Sequence, residues 1–445
     1  MSGNPYLEGN FAPVEDELTA FDLPVTGEIP RALQGRFLRI GPNPVNNPNP
    51  DTHHWFLGSG MAHGLRLDDG TARWFKSRYV RDDMVIQEKG WPPVAGPRSA
   101  LDIGSGIANT NMLAHRGRTF ALIEGGNLPV ELDAEMETLG RTDFEGTLPG
   151  GLSAHPHLDP DTGELHSAVY SPFWNYIQYV VIGRDFRVRK TVNIPVPGFP
   201  MVHDCMITAN YFVVMDLPVI LDAEVAAQGY QLPYKWHPEY GARVGLLPRE
   251  GAAEDISWHE LEPCFVFHPM NAFEDEHGRV VMDVVRYDSL FAADMRGPAG
   301  GRSRLDRWTI DRNSPRVQEQ CLDEAMQEFP RIDERLTGKP YRYGYTANLA
   351  DDLTALGLRK HDLVSGTSSV HSEGEHRVFM EPVFVPRSAN AAEDDGWVLA
   401  YVYDKRTDKS DVVILAAQDF TSGPIATVHL PRRVPYGFHG NWAAD

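Results

Sequence analysis

Four histidines stand in apolar or Gly/Pro-rich surroundings that suggest burial: His155 in SAHPHLDP, His203 in FPMVHDCM, His268 in FVFHPMNAFED and His439 in GFHGNW. Any one of them alone reads as a core residue with satisfied hydrogen bonds. They lie 48, 65 and 171 residues apart, close to one, one and three times the length of a four-stranded propeller blade. Residues one blade apart can converge on a common axis, and four neutral imidazoles meeting there form a metal site suited to iron, copper, zinc or nickel.

An imidazole that binds a metal through one nitrogen needs an acceptor at the other, commonly a carboxylate. Glu124 in FALIEGGNLP, Glu328 in QEFPRID and Glu381 in FMEPVFVPR are carboxylates in apolar surroundings, where an unpartnered charge is costly. Singly, each reads as a strand residue or half of an ion pair. Beside the histidines, they read as the outer partners of a metal centre.

Other constellations are weaker. GSGIAN at 104–109 lacks the third glycine of a dinucleotide fingerprint and reads as a turn. No Walker loop, G-x-S-x-G elbow or HExxH motif is present. His157 would share a strand face with His155, whereas the adjacent His53 and His54 of HHWF cannot both point inward and read as cap structure. His63 has no assignment from sequence.

The elements that must position these residues are strands. Short apolar or alternating stretches recur, closed by turns such as Asp69-Gly70, Asp161-Thr162-Gly163 and His277-Gly278. Helical periodicity is confined to 221–228 and the stretch around 351–358, and 388–396 reads as an exposed loop. No linker or low-complexity block divides the chain, so many short strands in one undivided domain over 1–445 predict an all-β architecture of radially repeated, propeller-like blades.

Composition narrows the setting. A net charge of −21 without any basic cluster argues against nucleic acid and anionic membrane surfaces. There is no basic-then-apolar leader, the most apolar run (211–221) is too short to span a bilayer, and Cys205, Cys264 and Cys321 follow no disulfide spacing. These features predict a cytoplasmic protein with at most weak membrane contact; oligomeric state is not legible.

From NPYLEGNFAPV and GRFLRIGPNP through HWFLGSGMAHGLRLDDG, NTN, SAHP, MVHD, HPMNAFED and EFPRID to EPVFVPR and GFHGNW, the chain resembles the carotenoid cleavage oxygenases, non-haem iron enzymes that split conjugated alkenes with O₂, and especially their bacterial members. The resemblance implies a seven-bladed propeller capped by loops and short helices, with Fe(2+) on its axis. It matches the iron-binding histidines to His155, His203, His268 and His439, and their outer glutamates to Glu124, Glu328 and Glu381. Thr110 matches a threonine beside an open iron position, and the C-terminal segment is expected to return to the axis.

The implied partners are O₂ and a hydrophobic conjugated small molecule, cleaved to two carbonyl products without an external reductant and without a protein acid or base. Family members acting on phenolic stilbenes or phenylpropenes carry a tyrosine and a lysine for the substrate hydroxyl. Arg118 stands where that lysine would be, and no tyrosine occurs over 80–124. The connection after VVMDLPV is short and polar. Apocarotenoid cleavage is therefore the favoured reading, with cleavage of a stilbenoid or vinylphenol as the alternative; isomerisation and a non-catalytic binding scaffold are further alternatives.

Overall fold

The computed structural model describes residues 3–99, 106–298 and 300–445. Seven antiparallel sheets of four or more strands follow one another as the blades of a propeller, with a separate two-stranded ribbon in the cap. The strands that begin the blades pack against one another round the axis, from His157–Leu158 through Cys205–Ile207, Phe265–Glu274, Gln327–Ile332, Val383–Pro386 and Gly440–Ala444 to Asn111–His115. Burial follows from this placement. Phe265–Glu274 is buried at eight consecutive positions because blades cover both its faces, whereas the outer strand Val188–Pro195 alternates between half-buried and exposed.

Both chain ends close the ring. Gly440–Ala444 pairs with Gly35–Pro42 and becomes the inner edge of a blade whose other strands come from the first 79 residues. Val25–Gly27 pairs with Pro424–His429 on the outer edge of the neighbouring blade. The chain end that the sequence equips with YGFHGNW is thus held in a sheet.

Local chemistry sets the hairpins. Asp69 and Gly70 adopt φ of 45° and 74° between Gly60–Asp68 and Thr71–Tyr79, the left-handed pair that a two-residue hairpin requires. The other two expected turns also join paired strands. The helix expected at 221–228 forms over Ala223–Ala227, capped by the Asp222 carboxylate on the Glu224 and Val225 N–H groups. The stretch at 351–358 is not helical. It turns at Leu353, φ 65°, and enters the strand Ala355–Asp362, because pairing with Tyr343–Leu349 overrides a weak local pattern. Residues 388–396 form the expected loop, anchored where Glu393 accepts from the N–H groups of Arg342 and Tyr343.

Over one end of the axis lie the ribbon Val219–Leu221/Tyr234–Trp236, the 53–57 segment and the loop after Arg118–Leu122. No helix among the described residues is long and apolar enough to cross a membrane. Cys205, Cys264 and Cys321 are free thiols.

Candidate metal centre

Each inner strand brings one polar residue to the axis at or near its start. Thr110 precedes Asn111–His115, His155 precedes His157–Leu158, His203 precedes Cys205–Ile207 and His439 precedes Gly440–Ala444. His268 and Glu328 lie within Phe265–Glu274 and Gln327–Ile332, and Glu381 occupies the break between Arg377–Phe379 and Val383–Pro386. Each of the seven blades contributes one of these seven residues.

The four histidines converge, with one ligand atom of each lying within 4.8 Å of the others. Three have their Nδ1 atoms engaged from outside: His203 by Glu124 at 2.6 Å, His268 by Glu328 at 2.7 Å and His439 by Glu381 at 2.8 Å. When Nδ1–H donates to a carboxylate, Nε2 is left as a lone pair. The Nε2 atoms of His203 and His268 are 3.1 Å apart, and His155 Nε2 is buried without a hydrogen-bond partner. Bare lone pairs facing one another repel unless a cation sits between them. A separation of 3.1 Å is what two nitrogens about 2.1 Å from one ion make at roughly a right angle. The residues present therefore fit a metal ion.

Electrostatics fit it as well. Burial, then the neighbouring imidazoles, keeps His155 well below its ordinary pKa and neutral. Burial also lowers His439, against the pull of Glu381. Burial opposes ionisation of Glu381, but Arg331 at 3.1 Å, His439 and the Gly440 N–H outweigh it and hold the carboxyl at about 2. Burial and Glu328 act oppositely on His268, and Glu328 prevails, raising it.

Sequence reasoning missed Asp204, which lies 3.6 Å from His155 Nδ1 and 2.7 Å from His157 Nε2. His157 therefore stands behind the tetrad rather than in it. His157, Asp204 and Cys205 form a second close trio. Burial and then Asp204 push the Cys205 thiol well up, which makes it a poor ligand. The signal for Asp204 was present: a carboxylate in the apolar run MVHDCM.

Beside the tetrad is a cavity of about 630 Å³. His203, His268, His439, Thr110, Glu124 and Glu328 form its polar end, and most of the remaining wall is aromatic or aliphatic, including Trp55, Phe56, Phe267 and Phe438. Thr110 donates its hydroxyl to Asn109 at 2.9 Å, and its carbonyl accepts the His439 N–H at 3.0 Å. Asn109 in turn donates to the carbonyls of Phe56 and Gly58. In the 104–109 motif, Gly104 and Ser105 lie outside the described residues, while Ile107 and Asn109 line the cavity.

Arg118 is not a cavity residue. It pairs in bidentate fashion with Glu131 at 2.6 and 2.5 Å and stacks over Phe120 and Phe186, so its charge is neutralised across its own sheet. His54 meets Phe56 edge-on and stacks on Phe291, and His63 bonds Ser77 within its blade.

A seven-bladed propeller with an axial four-histidine centre beside an apolar cavity defines a class of metalloprotein, and comparison places the chain within it. The family model described as RPE65, retinal pigment epithelial membrane protein, matches residues 11–444. A carotenoid cleavage oxygenase of Mycobacterium tuberculosis is 45% identical over 99% of this chain and 98% of its own length. The crystal structure of Pseudomonas brassicacearum lignostilbene dioxygenase superposes with a TM-score of 0.90 at 30% identity, covering 99% of this chain and 98% of that one. Cobalt-substituted Synechocystis apocarotenoid oxygenase does so at 0.86 and 30%, covering 97% of each. The chain belongs to the carotenoid cleavage oxygenase family.

Proposed function

We propose that the protein is an Fe(2+)-dependent oxygenase that cleaves one conjugated C=C bond of an apocarotenoid with O₂, giving two carbonyl products. The observation that carries this reading is the cavity: apolar, about 630 Å³, ending on three of the four histidines and, among the described residues, lined by no lysine or arginine. That volume lies within the roughly 300–1,000 Å³ of small-molecule sites. Addition of both oxygen atoms across the bond is electron-balanced, because the alkene supplies the electrons.

When bound, ferrous iron supplies the activation of O₂. His155, His203, His268 and His439 would hold it as neutral ligands; Glu328 and Glu381 fix two of those rings by accepting from Nδ1, and Glu124 lies 2.6 Å from the Nδ1 of His203. Three carboxylates nearly balance a divalent charge. Thr110, fixed by Asn109, borders the open side as a steric wall, since its proton is already donated. The aromatic wall aligns the double bond and excludes water. No cavity residue is assigned as acid or base. Residues 1–445 act as one unit, because the last ligand arrives on a strand paired with the first blade.

The phenolic-alkene reading draws on the 0.90 superposition on lignostilbene dioxygenase. That likeness describes the ring as a whole, and Arg118 lies away from the cavity. Anaerobic loading with ferrous iron followed by ¹⁸O₂ and either an apocarotenal or a hydroxystilbene decides between them, with products reduced at once to stop exchange with water. Labelled products from the polyene are expected; label only in aromatic aldehydes overturns the apocarotenoid assignment.

A further inference from the structure

The four axial histidines separate two spaces. The apolar cavity meets His203, His268 and His439, whereas a second, narrower space of about 140 Å³ meets His155, His268 and His439. The inner strands begin at or near these ligands, so residues just before a ligand, such as Met201, Phe267 and Phe438, face the cavity under the cap. Residues two places after a ligand return to the axis on the far side: His157, Met270 and Asn441 line the second space. That space is a channel running from the histidines to the exposed Glu334.

The two spaces differ in what they offer an ion. Most of the cavity wall is aromatic or aliphatic, and a divalent cation that sheds water there finds little in return before the polar end. The channel wall carries three carboxylates, Asp204, Glu334 and Glu381, against one guanidinium, Arg331. Arg331 is already committed: it lies 3.1 Å from Glu381, pairs with Glu334 and donates to the Gly440 carbonyl and Asn441. Asp204 is 4% exposed, and among the described residues no lysine or arginine pairs with it. Its carboxylate meets the Cys205 N–H, His157 Nε2 at 2.7 Å and His155 Nδ1 at 3.6 Å. A buried carboxylate without a cationic partner is costly, and this one stands between a half-buried channel imidazole and a ligand of the axial site.

From this placement we propose that the channel is the route by which a divalent metal ion enters and leaves the axial site, with Asp204 and His157 as its transient ligands on the way. An ion crossing a protein needs ligands good enough to replace water and too few to hold it. One carboxylate and one imidazole meet that condition, whereas four imidazoles at the axis retain the ion. Glu334 at the mouth offsets the charge of Arg331 and so lets a cation approach. The apolar cavity is left to the organic substrate, and metal exchange does not require it to empty.

This route presupposes the metal centre proposed above, and cobalt tests the two separately. Uptake of Co²⁺ by the metal-free protein is followed by stopped-flow absorption of its d–d bands, and release by transfer to excess chelator. His157→Phe removes a transient ligand without touching the four histidines. Uptake and release should both slow about 10-fold while Kd stays within about twofold, because a change on the path alters the barrier and not its end states. Glu334→Lys, a substitution at an exposed position, should slow uptake about 10-fold at low ionic strength and less in about 1 M salt. Leu232→Trp narrows the apolar cavity instead and should leave the uptake rate unchanged. Native uptake rates in both channel variants, or slower uptake in Leu232→Trp, overturn the route. Weaker cobalt binding at an unchanged uptake rate in His157→Phe overturns it too, reducing His157 to a support for Asp204. A native protein that takes up no cobalt at the four histidines refutes the metal centre itself.

Discussion

A histidine ligand is only as good as the group behind it. Glu328 accepts from His268 Nδ1 at 2.7 Å, so Glu328→Gln replaces a charged acceptor by a neutral amide and lets the ring turn. Iron affinity is expected to fall about 10- to 100-fold, read by metal analysis after dialysis against graded chelator. His268→Ala removes the ligand itself and should abolish both iron binding and turnover; normal iron content in that variant would reassign the ligand. Asp204→Asn should cost less than Glu328→Gln, because Asp204 stands 3.6 Å from His155 Nδ1, beyond hydrogen-bond range. At this scale the sequence is readable where a polar side chain stands out from an apolar string, as His203 and Glu381 do. It is unreadable where the meaning depends on a partner across the sheet. Arg118 finds Glu131 on the next strand.

Elements carry the ligands, and the C-terminal strand shows how tightly. A Cβ on Gly437 would lie 2.6 Å from the Gly41 Cα, and one on Gly440 would lie 2.0 Å from the Leu38 carbonyl oxygen. The glycines around His439 therefore let two backbones approach, rather than supplying flexibility. Phe438 packs on Trp55 and Phe56, while Arg331 of the strand Gln327–Ile332, two blades round the ring, binds the Gly440 carbonyl and Asn441. Gly437→Ala must push the strand Gly35–Pro42 and the His439 lead-in apart, at about 1–3 kcal/mol for overpacking. The expected result is a lower Tm together with reduced iron occupancy. His439→Ala should lose iron while its metal-free Tm stays near that of the native metal-free protein, because its strand remains paired. Deleting 439–445 should lose both; full iron occupancy after that deletion would refute the return of the chain end to the axis. Hairpins were legible because Asp-Gly and its kin specify a turn locally. The stretch at 351–358 was not, since eight residues of weak helical pattern yield to a sheet partner supplied from elsewhere in the chain.

The closed ring also fixes how the whole molecule responds to acid. His54, His63, His166 and His361, all buried and outside the four axial histidines, are held neutral: His54 and His166 at about 3, His361 at about 4 and His63 well below its ordinary value. Burial is the main cause in each. His53 adds to it at His54 and Arg249 at His166, whereas Asp323 partly opposes it at His361. The unfolded chain binds these protons near pH 6.5, and the folded chain refuses them until far lower. Their contribution to stability is therefore complete above pH 6.5 and is lost as pH falls toward 3–4. Between pH 6.5 and 5.5 these four together should remove about 4 kcal/mol of unfolding free energy. Glu381, held at about 2, adds its own loss only below the carboxylate range near 4.5. Net charge argues the other way, since partial neutralisation of a chain at −21 relieves self-repulsion and would stabilise the fold. The buried imidazoles win if desolvation outweighs that diffuse, salt-screened term. Urea midpoints of the metal-free protein at pH 7, 6 and 5 in 0.15 M salt test this, with the midpoint expected to fall at each step. His54→Phe, which keeps a ring beside Phe56 and Phe291, should make the slope shallower. A midpoint that is flat or rises from pH 7 to 5 would mean that surface charge, not the buried histidines, governs how the propeller meets acid.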